Sequence, residues 1–184
     1  MRKALKILLC IQALFALAGG LFGPLYAVFV EEIGGDLLTA GSAYFLFALT
    51  VGILIFFISR WEDHVKHKEK LIIIGFGLSA LGFLGYNFVF EQIGLFIVQI
   101  IFGLGEAVCA PAWDGLYSKY LDKGKFISEW GLYESLNYII IALGALAGGV
   151  IAEFFGFRIL FVIMFIISII GLLISFTLSF KKRL

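Results

Sequence analysis

The stretch Gln99–Trp113, QIIFGLGEAVCAPAW, sets one carboxylate in the middle of an apolar run. The run extends over 93–117, long enough at roughly 1.5 Å per residue to cross a bilayer as a helix. Glu106 falls near its centre, the depth where an ionisable side chain costs most and is kept for a function. Gln99, Glu106 and Trp113 recur at intervals of seven, so they share one helical face with Gly103 and Ala110. Pro111 loosens the helix just past its centre. A polar stripe with small residues and a proline at membrane depth faces water or another helix, not lipid.

Composition sets the class. Hydrophobic residues make up 62% of the 184 and mean hydropathy is +1.07, whereas a soluble domain is about half apolar. Cys10 and Cys109 both lie within apolar runs and read as small packing residues without a disulfide. There is no metal-ligand spacing, phosphate loop or nucleophile motif, and no basic stripe interleaved with aromatics. An enzyme, a cofactor or metal site and a nucleic-acid interface therefore have no footing here.

Outward from the central run, apolar segments mark six spans at about 7–30, 38–58, 71–90, 93–117, 130–152 and 159–180, an all-α membrane protein in one six-span domain. Ala16-Leu17-Ala18 in the first span mimics the cleavage site of a secretory leader. The apolar run continues to Val30, however, and cleavage would strand a piece too short to span, so an uncleaved span is expected. Within it Gln12, Gly19 and Tyr26 again recur every seven residues, and Gly19, Gly20, Gly23 and Pro24 make the outer half bendable.

Orientation follows from the basic residues. With the amino terminus in the cytoplasm, all 14 Lys and Arg but Arg158 fall inside, including Arg2, Lys181, Lys182 and Arg183. Glu31, Glu32, Asp36, Glu91 and Glu153 join Arg158 outside. Both termini are then cytoplasmic in a multi-pass protein of the plasma (inner) membrane, with Trp61 and Trp130 as anchors at the cytoplasmic interface.

The two prolines, Pro24 and Pro111, sit near glycines in the last third of spans one and four, which run in opposite directions. Interrupted segments at corresponding places in two three-helix triplets point to an inverted repeat with a central site. Further motifs carry a resemblance. Ser59-Arg60-Trp61-Glu62-Asp63-His64-Val65-Lys66-His67-Lys68 resembles the Gly-x-Leu-x-Asp-Arg-x-Gly-Arg-Lys loop of the major facilitator superfamily. Asp63 and Lys68 match it, while Ser59, Trp61, His64, Lys66 and His67 depart. Gln99 to Gly103 is similar to that family's Arg-x-x-x-Gly pattern with glutamine for arginine. Gly144-Ala145-Leu146-Ala147-Gly148-Gly149 is similar to its Gly-Pro-x-x-Gly-Gly antiporter signature, with Ala145 where that signature has proline.

The resemblance covers the whole chain and implies the amino-terminal half of a twelve-span secondary transporter. Because the chain stops at Lys181-Lys182-Arg183-Leu184 after six spans, a parallel homodimer that imitates twelve spans is the expected assembly. A half that pairs with a different six-span chain, a fragment of a longer protein, and a non-transporting membrane scaffold are the other readings. Glu106 is the expected proton-coupling residue, since neither span four nor the matching face of span one offers an Arg or Lys at its depth. Gln12, Tyr26, Gln99 and Trp113 are the candidate substrate contacts, and Trp113 serves equally as an interfacial anchor. Asp63 and Lys68 are candidate gating residues by the resemblance, with Asp63 expected near residues 130–133 of the partner protomer. Glu134 and Asn137, one turn apart near the cytoplasmic end of span five, are gate or packing residues, packing being favoured. Asp114 reads as a cap or a partner for a loop lysine, and His64 and His67 as solvated loop residues. Few polar and no cationic residues on these faces favour a small neutral, cationic or lipophilic organic solute over a multiply charged anion. Lipid, a second copy, the solute and protons are the expected partners.

Overall fold

The computed structural model of the chain describes residues 3–180, and every regular element among them is helical. Helix α1 (Lys3–Phe22) passes through a 3-10 turn, Gly23–Leu25, into α2 (Tyr26–Glu32). Then follow α3 (Leu37–Glu62), α4 (Lys68–Gly85) with a 3-10 extension at Tyr86–Phe88, α5 (Gln92–Tyr120) and α6 (Phe126–Phe180). With α1 and α2 taken together, five of these runs are long and apolar enough to cross a membrane. Arg2, Lys181, Lys182 and Arg183, used above for orientation, lie outside the described residues.

The sequence pattern predicts an outer loop between spans five and six, but α6 runs through that region as 55 residues with one non-helical residue, Gly156 (φ 77°, ψ 167°). A straight helix of that length would extend roughly 80 Å, far beyond one bilayer. The chain instead reverses at Gly156, where a left-handed φ penalises any side chain. Contacts with α1 establish the reversal. Gly144 and Gly148 lie against Leu17 and Leu21 in matching order, so the 126–155 leg runs parallel to α1. On the 157–180 leg, Phe157 and Phe161 meet Phe22 at 6.2 and 5.1 Å while Gly171 reaches Phe15, so that leg runs antiparallel. α6 thus forms two antiparallel legs, each long enough to cross a membrane, and the described residues begin and end at the same end of the bundle.

Span one, whose outer half reads as bendable, is broken at Gly23–Leu25, where Pro24 lacks the N–H for a helical bond. Pro111, by contrast, sits inside an unbroken α5. Asp36 caps α3: its carboxylate accepts from the Thr39 backbone N–H and hydroxyl, both at 2.8 Å.

The inverted repeat is visible in which helices touch. Exchanging the two triplets turns the α1 contact with the 126–155 leg into that of α5 with α3, and both are close approaches over glycine. Gly148 lies on the Leu21 backbone, and a Cβ on Gly103 would come within 2.7 Å of Thr50. The exchange likewise turns the pair of α4 with α5 into that of the 157–180 leg with α1. There a Cβ on Gly75 would meet Cys109 at 2.5 Å, and one on Gly171 would meet Phe15 at 2.9 Å. Small residues at such crossings let helices pack closely where no hydrophobic force drives them together.

Two apolar clusters close the ends of the bundle. One gathers Phe22, Phe29, Tyr86, Leu95 and Phe161; the other gathers Leu5, Leu8, Ile72, Trp113 and Tyr117. The loops and helix ends beside the second cluster carry Lys66, Lys68, Lys70, Lys119, Lys123 and Lys125, whereas Glu31, Glu32, Asp36, Glu91 and Glu153 lie at the first. The charge asymmetry is therefore an asymmetry between the two ends.

Candidate functional site

A cavity of about 680 Å³ opens between α1, α3, α4, α5 and the 126–155 leg. α5 brings Glu106, Trp113 and Asp114 to it, α1 brings Gln12, and the leg brings Tyr133 and Asn137. Phenylalanines from α1, α3, α4 and α5 make up much of the remaining wall, and no Lys, Arg or His is among the lining residues. Glu106 and Asp114 are both exposed, and neither has a hydrogen-bond or ion-pair partner among the described residues.

Toward the acidic end the polar groups are tied off. Gln99 Nε2 donates to Tyr26 Oη at 2.9 Å and to Tyr86 Oη at 3.3 Å. Tyr86 in turn stacks on Phe161 at 5.0 Å. Arg158 donates through Nη1 to the carbonyls of Tyr86, at 3.1 Å, and Asn87, and through Nη2 to that of Val89 at 2.9 Å. Its guanidinium also lies 4.4 Å from the centre of the Phe90 ring. The one basic residue at the acidic end is thus the cap of the α4 extension, where a cation belongs at the carbonyl end of a helix.

At the basic end four rings close the cavity floor. Trp113 stacks on Tyr117 at 4.7 Å and lies 4.8 Å from Tyr133, and Trp130 meets Tyr117 edge-on at 4.8 Å. Tyr117 Oη donates to the Glu129 carbonyl at 2.7 Å, and the Asp122 N–H donates to Glu129 Oε2 at 2.8 Å. These bonds staple the end of α5 to the start of α6. The Trp113 indole N–H is buried and meets no acceptor among the described residues. In the 63–67 loop, Lys68 Nζ donates to the Glu62 carbonyl at 2.7 Å, and Asp63 is exposed. Glu62 is 2% exposed, and neither carboxylate oxygen is hydrogen-bonded among the described residues.

The residues singled out in the sequence therefore separate. Glu106, Gln12, Trp113 and Asn137 come together on the cavity wall. Gln99 and Tyr26 do not; they bond to each other beyond its outer edge. The α1 repeat of seven is interrupted because the helix stops at Phe22, and the following turn swings Tyr26 toward α5. Glu134 is exposed and not among the lining residues, and Trp130 belongs to the floor. His67 pairs with Glu69 at 3.0 Å, while His64 Nδ1 lies 3.0 Å from the Arg60 carbonyl. Asp114, which reads as a cap from sequence, is a second cavity carboxylate; Tyr133 and Ser79 also reach the wall without having been singled out. The signal for Asp114 is its place on α5 two turns past Glu106, on a face wider than the strict seven-residue stripe.

Comparison with known proteins agrees with this architecture. The family description "Major Facilitator Superfamily" matches residues 8–183. The "uncharacterized MFS-type transporter YitZ" of Bacillus subtilis is 25% identical over 144 residues, 78% of this chain and 87% of that protein. The "uncharacterized MFS-type transporter MJ1560" of Methanocaldococcus jannaschii is 24% identical over 157 residues, 85% of this chain but 40% of that protein. The "lysophospholipid transporter LplT" of Klebsiella pneumoniae is 30% identical over 111 residues, 60% of this chain and 25% of that protein. The chain thus spans nearly all of the first relative, less than half of the second and a quarter of the third. The match runs along nearly the whole sequence and coincides with an all-α, multi-pass membrane fold, and the chain belongs to the Major Facilitator Superfamily.

Proposed function

We propose that the chain is one half of a secondary active transporter that moves a small organic solute by alternating access. A proton carried by Glu106 drives it, and a second, parallel copy supplies the other half. The carrying observation is the open cavity: Glu106, Asp114, Gln12 and Asn137 line it, within helices long and apolar enough to cross a membrane. A charged group turned to lipid there costs about 3 kcal/mol or more, so lipid is a poor fourth wall. Two identical copies, each beginning and ending at the same end, can stand in one orientation about an axis along the membrane normal. The relative spanned to 87% of its length supports a half-size arrangement. The basic end is the cytoplasmic one, at the plasma (inner) membrane.

Rocking of the two halves about the cavity would change the hydration of Glu106, which takes a proton on one side and releases it on the other. Gln12 and Trp113 hold the solute, and Gln99 orients Tyr26 at the outer edge. Asp63, exposed at the basic end, would approach residues 130–133 of the partner, and a carboxylate near a helix start contributes about 0.3–1 kcal/mol to closing that side. Native mass spectrometry in lipid, with crosslinking between single cysteines on α3 and on the 126–155 leg, should give a parallel homodimer. A strictly monomeric protein that still transports would overturn the assembly.

A further inference from the structure

We infer that the cavity takes an amphipathic organic cation, a bulky apolar body carrying one positive charge. The inference rests on the cavity being the solute site, and it follows from what the wall offers and what it lacks. Its two ionisable carboxylates, Glu106 and Asp114, stand on one helix about 12 Å apart along the axis and meet no counter-charge among the described residues. Every described Lys and Arg lies toward one end of the bundle or the other, and Arg158, the one at the acidic end, is engaged with three carbonyls. A cation therefore finds a partner in the cavity, whereas a phosphate finds none. That separates this site from any solute whose charge is a phosphate.

The rest of the wall fits the apolar body. A volume of about 680 Å³ lies within the range of organic-ligand pockets, and aromatic residues from α1, α3, α4, α5 and the 126–155 leg line it. Trp113 lines the same space at 4% exposure.

The test uses tetraphenylphosphonium and the full chain in nanodiscs of zwitterionic lipid, with empty nanodiscs as the blank. Saturable binding is expected, weakened at least about tenfold when Glu106→Gln and Asp114→Asn are combined, as for loss of the charges that face a desolvated ligand. Asp114 is exposed, so Asp114→Asn alone should remain folded by size exclusion and show part of the loss, which Asp114→Glu should restore. Absence of saturable binding, unchanged affinity in the double variant, or equal protein binding of tetraphenylborate, its counterpart of opposite charge, would each overturn the inference. Binding without transport in proteoliposomes would leave it standing and remove the transport reading. Transport of a neutral or anionic solute without tetraphenylphosphonium binding would do the reverse.

Discussion

The two ends of α5 hold polar groups of the same kinds in opposite conditions. At its outer part the Gln99 amide donates to two tyrosines, and nearby Arg158 closes three carbonyls. Two turns further in, Glu106 and then Asp114 stand exposed on a cavity wall with no hydrogen-bond partner among the described residues. Inside a membrane, polar groups that are mutually satisfied hold helices together, and polar groups left open are kept for something that arrives. Depth and residue type alone do not tell these apart; the partners do.

The largest way to sharpen the contrast is Arg158→Met. Losing a charge-assisted cap on three carbonyls should cost about 2–4 kcal/mol, read as a lowered Tm in detergent. Next comes Gln99→Leu, which leaves Tyr26 and Tyr86 without their shared donor and should cost about 1–2 kcal/mol. Gly156→Ala forces a side chain into a left-handed φ and should cost about 1 kcal/mol. On the cavity side Asp114→Asn should stay within about 0.5 kcal/mol of the parent, because nothing in the fold leans on that carboxylate. A cavity substitution as destabilising as that of Gln99 would break the comparison.

The smallest effect is a pH dependence at the mouth of α3. The Thr39 backbone N–H, then its hydroxyl, hold the Asp36 carboxyl below its usual range. A folded pKa below the unfolded one means the cap stabilises above the unfolded pKa and is lost as pH falls through the folded one. Asp36→Asn, still a good cap, should therefore flatten the acid side of the stability profile, as followed by Tm against pH.

Much of this was legible in the sequence because apolar length at a fixed rise is so strong a constraint. The long apolar helices and the bend at Pro24 follow from local composition. What was not legible depends on distant partners. Gln99 lies 73 residues from Tyr26, and Arg158 about as far from the carbonyls it caps, so no local pattern announces either bond. The 153–158 segment carries Glu153 and Arg158 and reads as a loop, yet a single glycine makes the turn and frees the guanidinium to reach α4. Of the stripe Gln99, Glu106 and Trp113, only Glu106 and Trp113 border the cavity, since Tyr26 and Tyr86 occupy the place before Gln99.

The most direct test sets the two conditions side by side in one assay. Parent, Gln99→Leu and Glu106→Gln proteins are reconstituted in proteoliposomes under an imposed pH difference, and accumulation is measured across a panel of neutral, cationic and anionic organic solutes. The account expects Gln99→Leu, once folded, to concentrate the transported solute as the parent does, and Glu106→Gln to lose proton-driven accumulation while keeping fold and assembly. Accumulation that survives in Glu106→Gln and disappears in a folded Gln99→Leu would contradict it.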